Sequence, residues 1–177
     1  MNPVFDECCD PCRSKCRYHL NGEPLRAVNF GRFLGMKVYV ASSWKNEYQP
    51  GVVRLLREDG HEVYDFKDSQ GFRWSEVDPE WKSWTPQKYI EGLRHPCAER
   101  GFNRDMTALR ECDVCVYVMP CGPSASMEMG WAVAAGKHVI VYVPELKDPD
   151  LMVKMTPHIT TELEYVRRHI QNIEPKR

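Results

Sequence analysis

The chain has 177 residues, a formal net charge of -1, and 42% hydrophobic against 28% charged residues. That size suits one domain with a full core, and the near-neutral balance gives no electrostatic case for nucleic acid or an anionic membrane surface as partner. Apolar runs are far shorter than a membrane span, and the opening Met1-Asn-Pro-Val-Phe-Asp-Glu-Cys-Cys9 is polar and acidic rather than a leader, so the expected location is cytoplasmic.

Residues 1–35 hold Pro3, Pro11, Gly22 and Pro24 without sustained periodicity, which reads as a Cys-rich N-terminal extension to a domain spanning 36–177. Cys8, Cys9, Cys12 and Cys16 crowd there. The spacing Cys9-x2-Cys12-x3-Cys16-x2-His19 supplies ligands of the type that zinc takes. The loop between the pairs is shorter than in common zinc fingers, and a thiol-rich extension without metal is the other reading; both stay open. No cofactor is expected for catalysis. Cys112 and Cys115 fall in or beside a core strand, where free thiols act as small hydrophobes.

From Met36 onward strand and helix patterns alternate. Lys37 to Ala41 reads as a strand, and Asn46 as the N-cap of a helix carrying Val52, Val53, Leu55 and Leu56 that ends at Asp59-Gly60. Glu62 to Phe66 is a second strand. An aromatic, irregular stretch from Gly71 to Trp84 precedes two helical patterns, Pro86 to Leu93 and Ala98 to Glu111. The β-branched run at Asp113 to Pro120, a helix around Glu128, a strand at His138 to Val143 and an amphipathic helix from Thr161 to Ile173 follow. Such alternation argues for βαβ units and right-handed crossovers. The expected fold is α/β, a flavodoxin-like three-layer sandwich with a four- or five-stranded parallel sheet.

Glu128 is the sole carboxylate between Asp113 and Glu145, in a small-residue stretch that follows a buried strand. That places it at the carboxyl edge of the sheet, where ligands of open α/β folds bind. An acid there is either a partner for the helix dipole or a catalytic group. A capping box is excluded by spacing, because Ala125 and not Ser or Thr stands three residues before it. Met127, Met129 and Trp131 should desolvate the carboxylate and raise its pKa.

Other candidates converge on the same edge. Ser42, Ser43, Trp44, Lys45 and Asn46 form a polar first loop suited to an anion. Neither GxGxxG nor a Walker pattern is present, which disfavours dinucleotide and triphosphate cradles. Ser124 and Ser126 open the Glu128 helix. Asp105 lies a turn or so into its own helix and either faces the cleft or pairs with Arg104 or Arg110. Tyr39 lies within the first strand.

Met36-Lys-Val-Tyr-Val-Ala-Ser-Ser-Trp44, the helical Asp105, Cys112-Asp-Val and Ser126-Met-Glu-Met-Gly-Trp-Ala-Val-Ala-Ala-Gly-Lys137 together resemble the nucleoside 2-deoxyribosyltransferase family, which includes the related 2′-deoxynucleoside 5′-phosphate N-hydrolases. The resemblance runs from about Met36 to Val143 and is most specific in the Glu-x-Gly-x-Ala-x-x-x-Gly-Lys helix. It implies a homo-oligomeric, flavodoxin-like enzyme that breaks the N-glycosidic bond of a (deoxy)nucleoside or nucleoside 5′-monophosphate and releases or exchanges the base. Carried over by position, Glu128 matches the nucleophile, Asp105 the acid handling the proton on the base, and Tyr39 the tyrosine that steadies the nucleophile. Ser42, Ser43, Trp44, Lys45, Gly122, Ser124 and Ser126 would contact substrate. The transferases carry an acid where Gly122 stands and the hydrolases a serine, while Trp44 resembles the transferase loop and Lys45 replaces a hydrolase arginine. Hydrolase and transferase both stay open. A reading from another class is a TIR-like NAD-cleaving or nucleotide-sensing signalling or assembly module.

Because residues 1–35 precede the first strand and lack the periodicity of a core element, a chain starting at Met36 is expected to fold and keep any activity of the whole. Soluble expression, circular dichroism and zinc analysis of the full-length chain check this; a zinc ion that activity requires would contradict it.

Overall fold

The computed structural model describes residues 35–68 and 71–173. The zinc ligands expected at Cys9, Cys12, Cys16 and His19, and the extension that carries them, lie outside the described residues.

Five strands form one wholly parallel sheet: β1 (Lys37–Ala41), β2 (Glu62–Tyr64), β3 (Val114–Val118), β4 (His138–Tyr142) and β5 (Ile159–Thr160), in the spatial order β2-β1-β3-β4-β5. This is the flavodoxin-like order. The helices are α1 (Gln49–Glu58), α2 (Pro86–Gly92), α3 (Pro96–Glu111), α4 (Pro123–Ala134) and α5 (Leu163–Gln171). Strand side chains alternate between the faces. Val38, Val40, Val114, Val116, Val118 and Ile140 pack with Val52, Val53 and Leu56 of α1 and Val166 and Ile170 of α5. Tyr39, Ala41, Cys115, Tyr117, Val139 and Val141 pack on the other face with Leu109 of α3 and Ala125, Met129 and Ala132 of α4. Covering both faces is what a parallel sheet of continuous apolar strands requires.

Several boundaries differ from the sequence expectation for identifiable reasons. β2 stops at Tyr64 because the Asp65 carboxylate accepts from Gln49 Nε2 at 2.7 Å and from the Lys67 amide at 2.9 Å, turning the chain out of the sheet. Asn46 acts at a distance from its helix: α1 begins at Gln49 after Tyr48, while Asn46 Oδ1 accepts from the Tyr48 amide at 2.8 Å and the Gln49 amide at 3.0 Å. Gly60, at φ +88°, closes α1 as the expected Asp59-Gly60 turn. The two-residue β5 and the 3-10 turn Leu151–Met155 before it carry no periodicity that a sequence reading could find.

α5 is held over the sheet by Ile170, fully buried, and by a bidentate pair in which Arg167 donates Nε to Asp59 Oδ2 at 2.7 Å and Nη2 to Oδ1 at 2.6 Å. Ile170→Ala is expected to cost about 2–5 kcal/mol of stability, read by urea denaturation with the m-value unchanged.

Candidate active site

Asp105 lies on the inward stripe of α3, in line with Ala98, Gly101 and Leu109, all buried. Glu128 lies on the inward stripe of α4, three residues after Ala125, one before Met129 and four before Ala132, all buried. The i, i+3, i+4 spacing of a helix makes these residues neighbours on one face. Both carboxyls therefore turn toward the same sheet face, where Tyr39 of β1 presents its ring. Glu128 is the sixth residue of α4, whose first turn contains no acid. Dipole pairing fades beyond the first turn, so that reading of Glu128 does not fit its position.

Tyr39 and Tyr64 are register partners across β1 and β2. Parallel pairing places their rings side by side, stacked at 5.2 Å between centroids and 16° between planes. The buried Tyr39 phenol faces Glu128, whose carboxylate form it favours as a donor. Tyr64 donates to Asp105 Oδ1 in a short hydrogen bond and accepts from Arg104 Nε at 3.0 Å. Arg104 Nε lies 3.8 Å from Asp105 Oδ1. Arg104 was read from sequence as one of two pairing partners for Asp105, and it is the one that lies beside it; Tyr64 was not singled out, and the signal available was the alternation of β2, which puts Tyr64 on the same face as Tyr39.

Burial pushes the Glu128 carboxyl up to about 7, the charge of Asp105 adds to the rise, and the Tyr39 donor opposes it. Asp105 is also raised, by burial first, with Tyr64 and Arg104 pulling the other way. Burial and the two carboxylates hold the Tyr39 phenol far above its ordinary range, so it serves as a donor. Each carboxyl acts on the other, so the two acids titrate as a pair.

The loops at the carboxyl edge are fastened together. Ser42, buried, donates its hydroxyl to the Val118 carbonyl at 2.8 Å. Asn46 Nδ2 reaches the same carbonyl at 3.1 Å and that of Pro120 at 3.0 Å. Lys67 Nζ donates to the Asn46 carbonyl at 2.7 Å. Ser126 shares a 2.9 Å hydrogen bond with the Tyr117 hydroxyl, and Ser43 Oγ accepts from the Lys45 amide at 3.3 Å. Trp44, half exposed, meets Phe66 edge-on at 5.4 Å, and the Arg73 guanidinium lies 5.3 Å from its ring. Lys45 and Ser124 are exposed. Gly122 precedes α4 with no side chain capping the helix start, and a Cβ placed there would meet open space. The expected anion cradle at the first loop is altered by the later start of α1, whose first amide, Gln49, and the Tyr48 amide before it already bind Asn46.

No family model and no curated protein matches this chain. Among solved structures, the 2-deoxyribosyltransferase of the psychrotolerant bacterium Bacillus psychrosaccharolyticus, described as a biocatalyst for synthesis of antiviral and antitumoral nucleosides, is similar in fold. The match has a TM-score of 0.50 and 18% identity, over 77% of this chain and 91% of that one. Such a likeness establishes the α/β flavodoxin-like arrangement. Among the described residues no helix is long and apolar enough to cross a membrane.

The raised Glu128 carboxyl has a cost for folding. Between the ordinary glutamate value of 4.5 and about 7 the native state keeps a proton that the unfolded chain has lost, so stability falls as pH climbs through that window. The loss has a ceiling of about 3 kcal/mol. Glu128→Gln is therefore expected to melt higher than wild type at pH 8, with the gap closing toward pH 4.5; thermal melts across pH check it.

Proposed function

We propose that this protein cleaves the N-glycosidic bond of a (deoxy)nucleoside or nucleoside 5′-monophosphate, with Glu128 as nucleophile and Asp105 as the acid that protonates the departing base. The carrying observation is the facing of two half-buried carboxyls, both raised in pKa, across Tyr39 at the ligand edge of the sheet. The fold shared with a 2-deoxyribosyltransferase supports the same reading.

The chemistry follows from the residue types. A glycosyl carbon that is losing its base develops oxocarbenium character, which a carboxylate stabilises or attacks. A Glu128 oxygen bonds to the anomeric carbon while the carbon–nitrogen bond breaks and its electron pair leaves with the base. The base nitrogen takes the proton of Asp105. The ionised Asp105 then withdraws a proton from water or from an incoming base as its oxygen or nitrogen bonds to the anomeric carbon, and the carbon–oxygen bond to Glu128 breaks with its electron pair returning to the carboxylate. Tyr39 holds one Glu128 oxygen throughout. Trp44, with one face toward solvent, would stack on the planar base. The uncapped start of α4 at Gly122, with Ser124 exposed in its first turn and Ser43 and Lys45 in the loop after β1, supports an anionic 5′-group as part of the substrate. A homo-oligomer and a small-molecule nucleoside or nucleotide partner complete the proposal.

The test is a panel of nucleosides, 5′-monophosphates and NAD, assayed for free base with and without a second nucleobase. Base release from nucleosides or monophosphates is expected, and exchange into the added base marks a transferase. Release from NAD alone, or from nothing, would overturn the reading. Glu128→Gln should fold and lose about a hundredfold or more of the rate. The active pair carries one proton, so kcat/KM should be bell-shaped in pH. Its alkaline limb should fall near 7 and its acid limb above the ordinary aspartate value of 3.8.

A further inference from the structure

Tyr64 touches the surroundings of both carboxyls. Its hydroxyl donates to Asp105, and its ring stacks on Tyr39, whose own phenol faces Glu128. Arg104, one residue before Asp105, donates Nε to the Tyr64 oxygen at 3.0 Å, which polarises the O–H toward the acid. The groups that face Asp105 or its partner are Tyr64 from β2, Arg104 from its own helix α3, Tyr39 from β1, Glu128 from α4, and the thiols of Cys115 from β3 and Cys121 from the loop after it.

We propose that Tyr64 is a positioning residue that, by donating its hydrogen bond to Asp105, decides on which of the two carboxyls their shared proton rests before substrate enters. The proposal rests on the N-glycosidic reading for its catalytic meaning. Tyr64 and Arg104 both favour Asp105 in its ionised form, because a hydrogen bond to a carboxylate and a nearby cation each stabilise the charge. The shared proton then sits on Glu128, and a protonated carboxyl is a poor nucleophile. The empty site is therefore held in an inert state.

A purine or pyrimidine nitrogen with a free lone pair accepts from a carboxyl O–H, so at Asp105 it favours the protonated acid, which the Tyr64 donor disfavours. Once the Tyr64 bond is given up, the proton passes from Glu128 to Asp105, and Glu128 becomes the carboxylate with Tyr39 still donating to it. The pair carries one proton and one negative charge before and after, so the transfer balances without a proton from solvent. When the base leaves with the Asp105 proton, Asp105 is ionised again and Tyr64 can rebind it.

The experiment uses the full chain without ligand. Carboxyl-13C-labelled aspartate and glutamate are followed by NMR through a pH titration in wild type and in Tyr64→Phe, with Asp105→Asn and Glu128→Gln assigning the resonances. Phenylalanine keeps the ring stack and removes the hydroxyl alone. In wild type Asp105 should ionise before Glu128. In Tyr64→Phe the Asp105 midpoint should move to higher pH and that of Glu128 to lower pH, while the acid limb of the rate profile moves up and the alkaline limb stays near its place. A merely structural role would scale the profile down without moving the limb.

Arg104→Gln, which removes the polarising cation, should move Asp105 in the same direction and keeps the proposal testable if Tyr64→Phe does not fold. Unchanged midpoints in the folded variants overturn the proposal, whatever the substrate panel shows. Moved midpoints with no base released from any substrate would sink the N-glycosidic reading and still support proton placement by Tyr64.

Discussion

Helices α3 and α4 each turn a carboxyl toward the sheet at a level where their other inward residues are Ala, Gly, Leu and Met. A buried acid without donors is costly, and two facing acids repel as well. The sheet answers with a pair of tyrosines in register, one for each carboxyl. Much else at this end of the domain depends on that arrangement. β2 needs only the residues that bring Tyr64 beside Tyr39, and it ends directly afterwards. Small residues on the α3 stripe let the helix approach: a Cβ on Gly101 would lie 2.7 Å from the Phe72 side chain.

The same pairing explains why function and stability pull apart here. An apolar residue at either position would bury without penalty, whereas the acids demand a phenol each and an arginine behind one of them. Proteins keep such strained groups where chemistry uses them. The raised Glu128 carboxyl is difficult to account for as a structural element, because it forms no salt bridge among the described residues and lies outside the first turn of its helix.

Much of the fold was legible because its strands are continuous β-branched runs and most of its longer helices amphipathic; Lys37–Ala41 and His138–Tyr142 emerged from pattern alone, and the helix around Glu128, apolar on most sides, from its place between two such runs. β5 was not, since two residues carry no period, and β2 was read too long because Phe66 continues its alternation while Asp65 ends it through a side-chain contact with Gln49. Glu128 and Asp105 were visible as acids out of place. Tyr64 was not, since its meaning lies in strand register and in a contact with Arg104, 40 residues away. Ser42 and Ser126 were read as groups toward substrate; their hydroxyls are bound to the Val118 carbonyl and to Tyr117.

The fastening of the edge loops has a consequence for how this domain can diverge. Ser42 and Asn46 grip the carbonyl oxygens of Val118 and Pro120, and Lys67 grips that of Asn46. Cys121 Sγ donates to the Val118 carbonyl as well, at 2.8 Å, so its side chain belongs to the knot. Gly122 ties nothing by a side chain and a Cβ there would meet open space, so descendants of this sequence could explore new substrates at that position while inheriting the placement of the carboxyl pair unchanged.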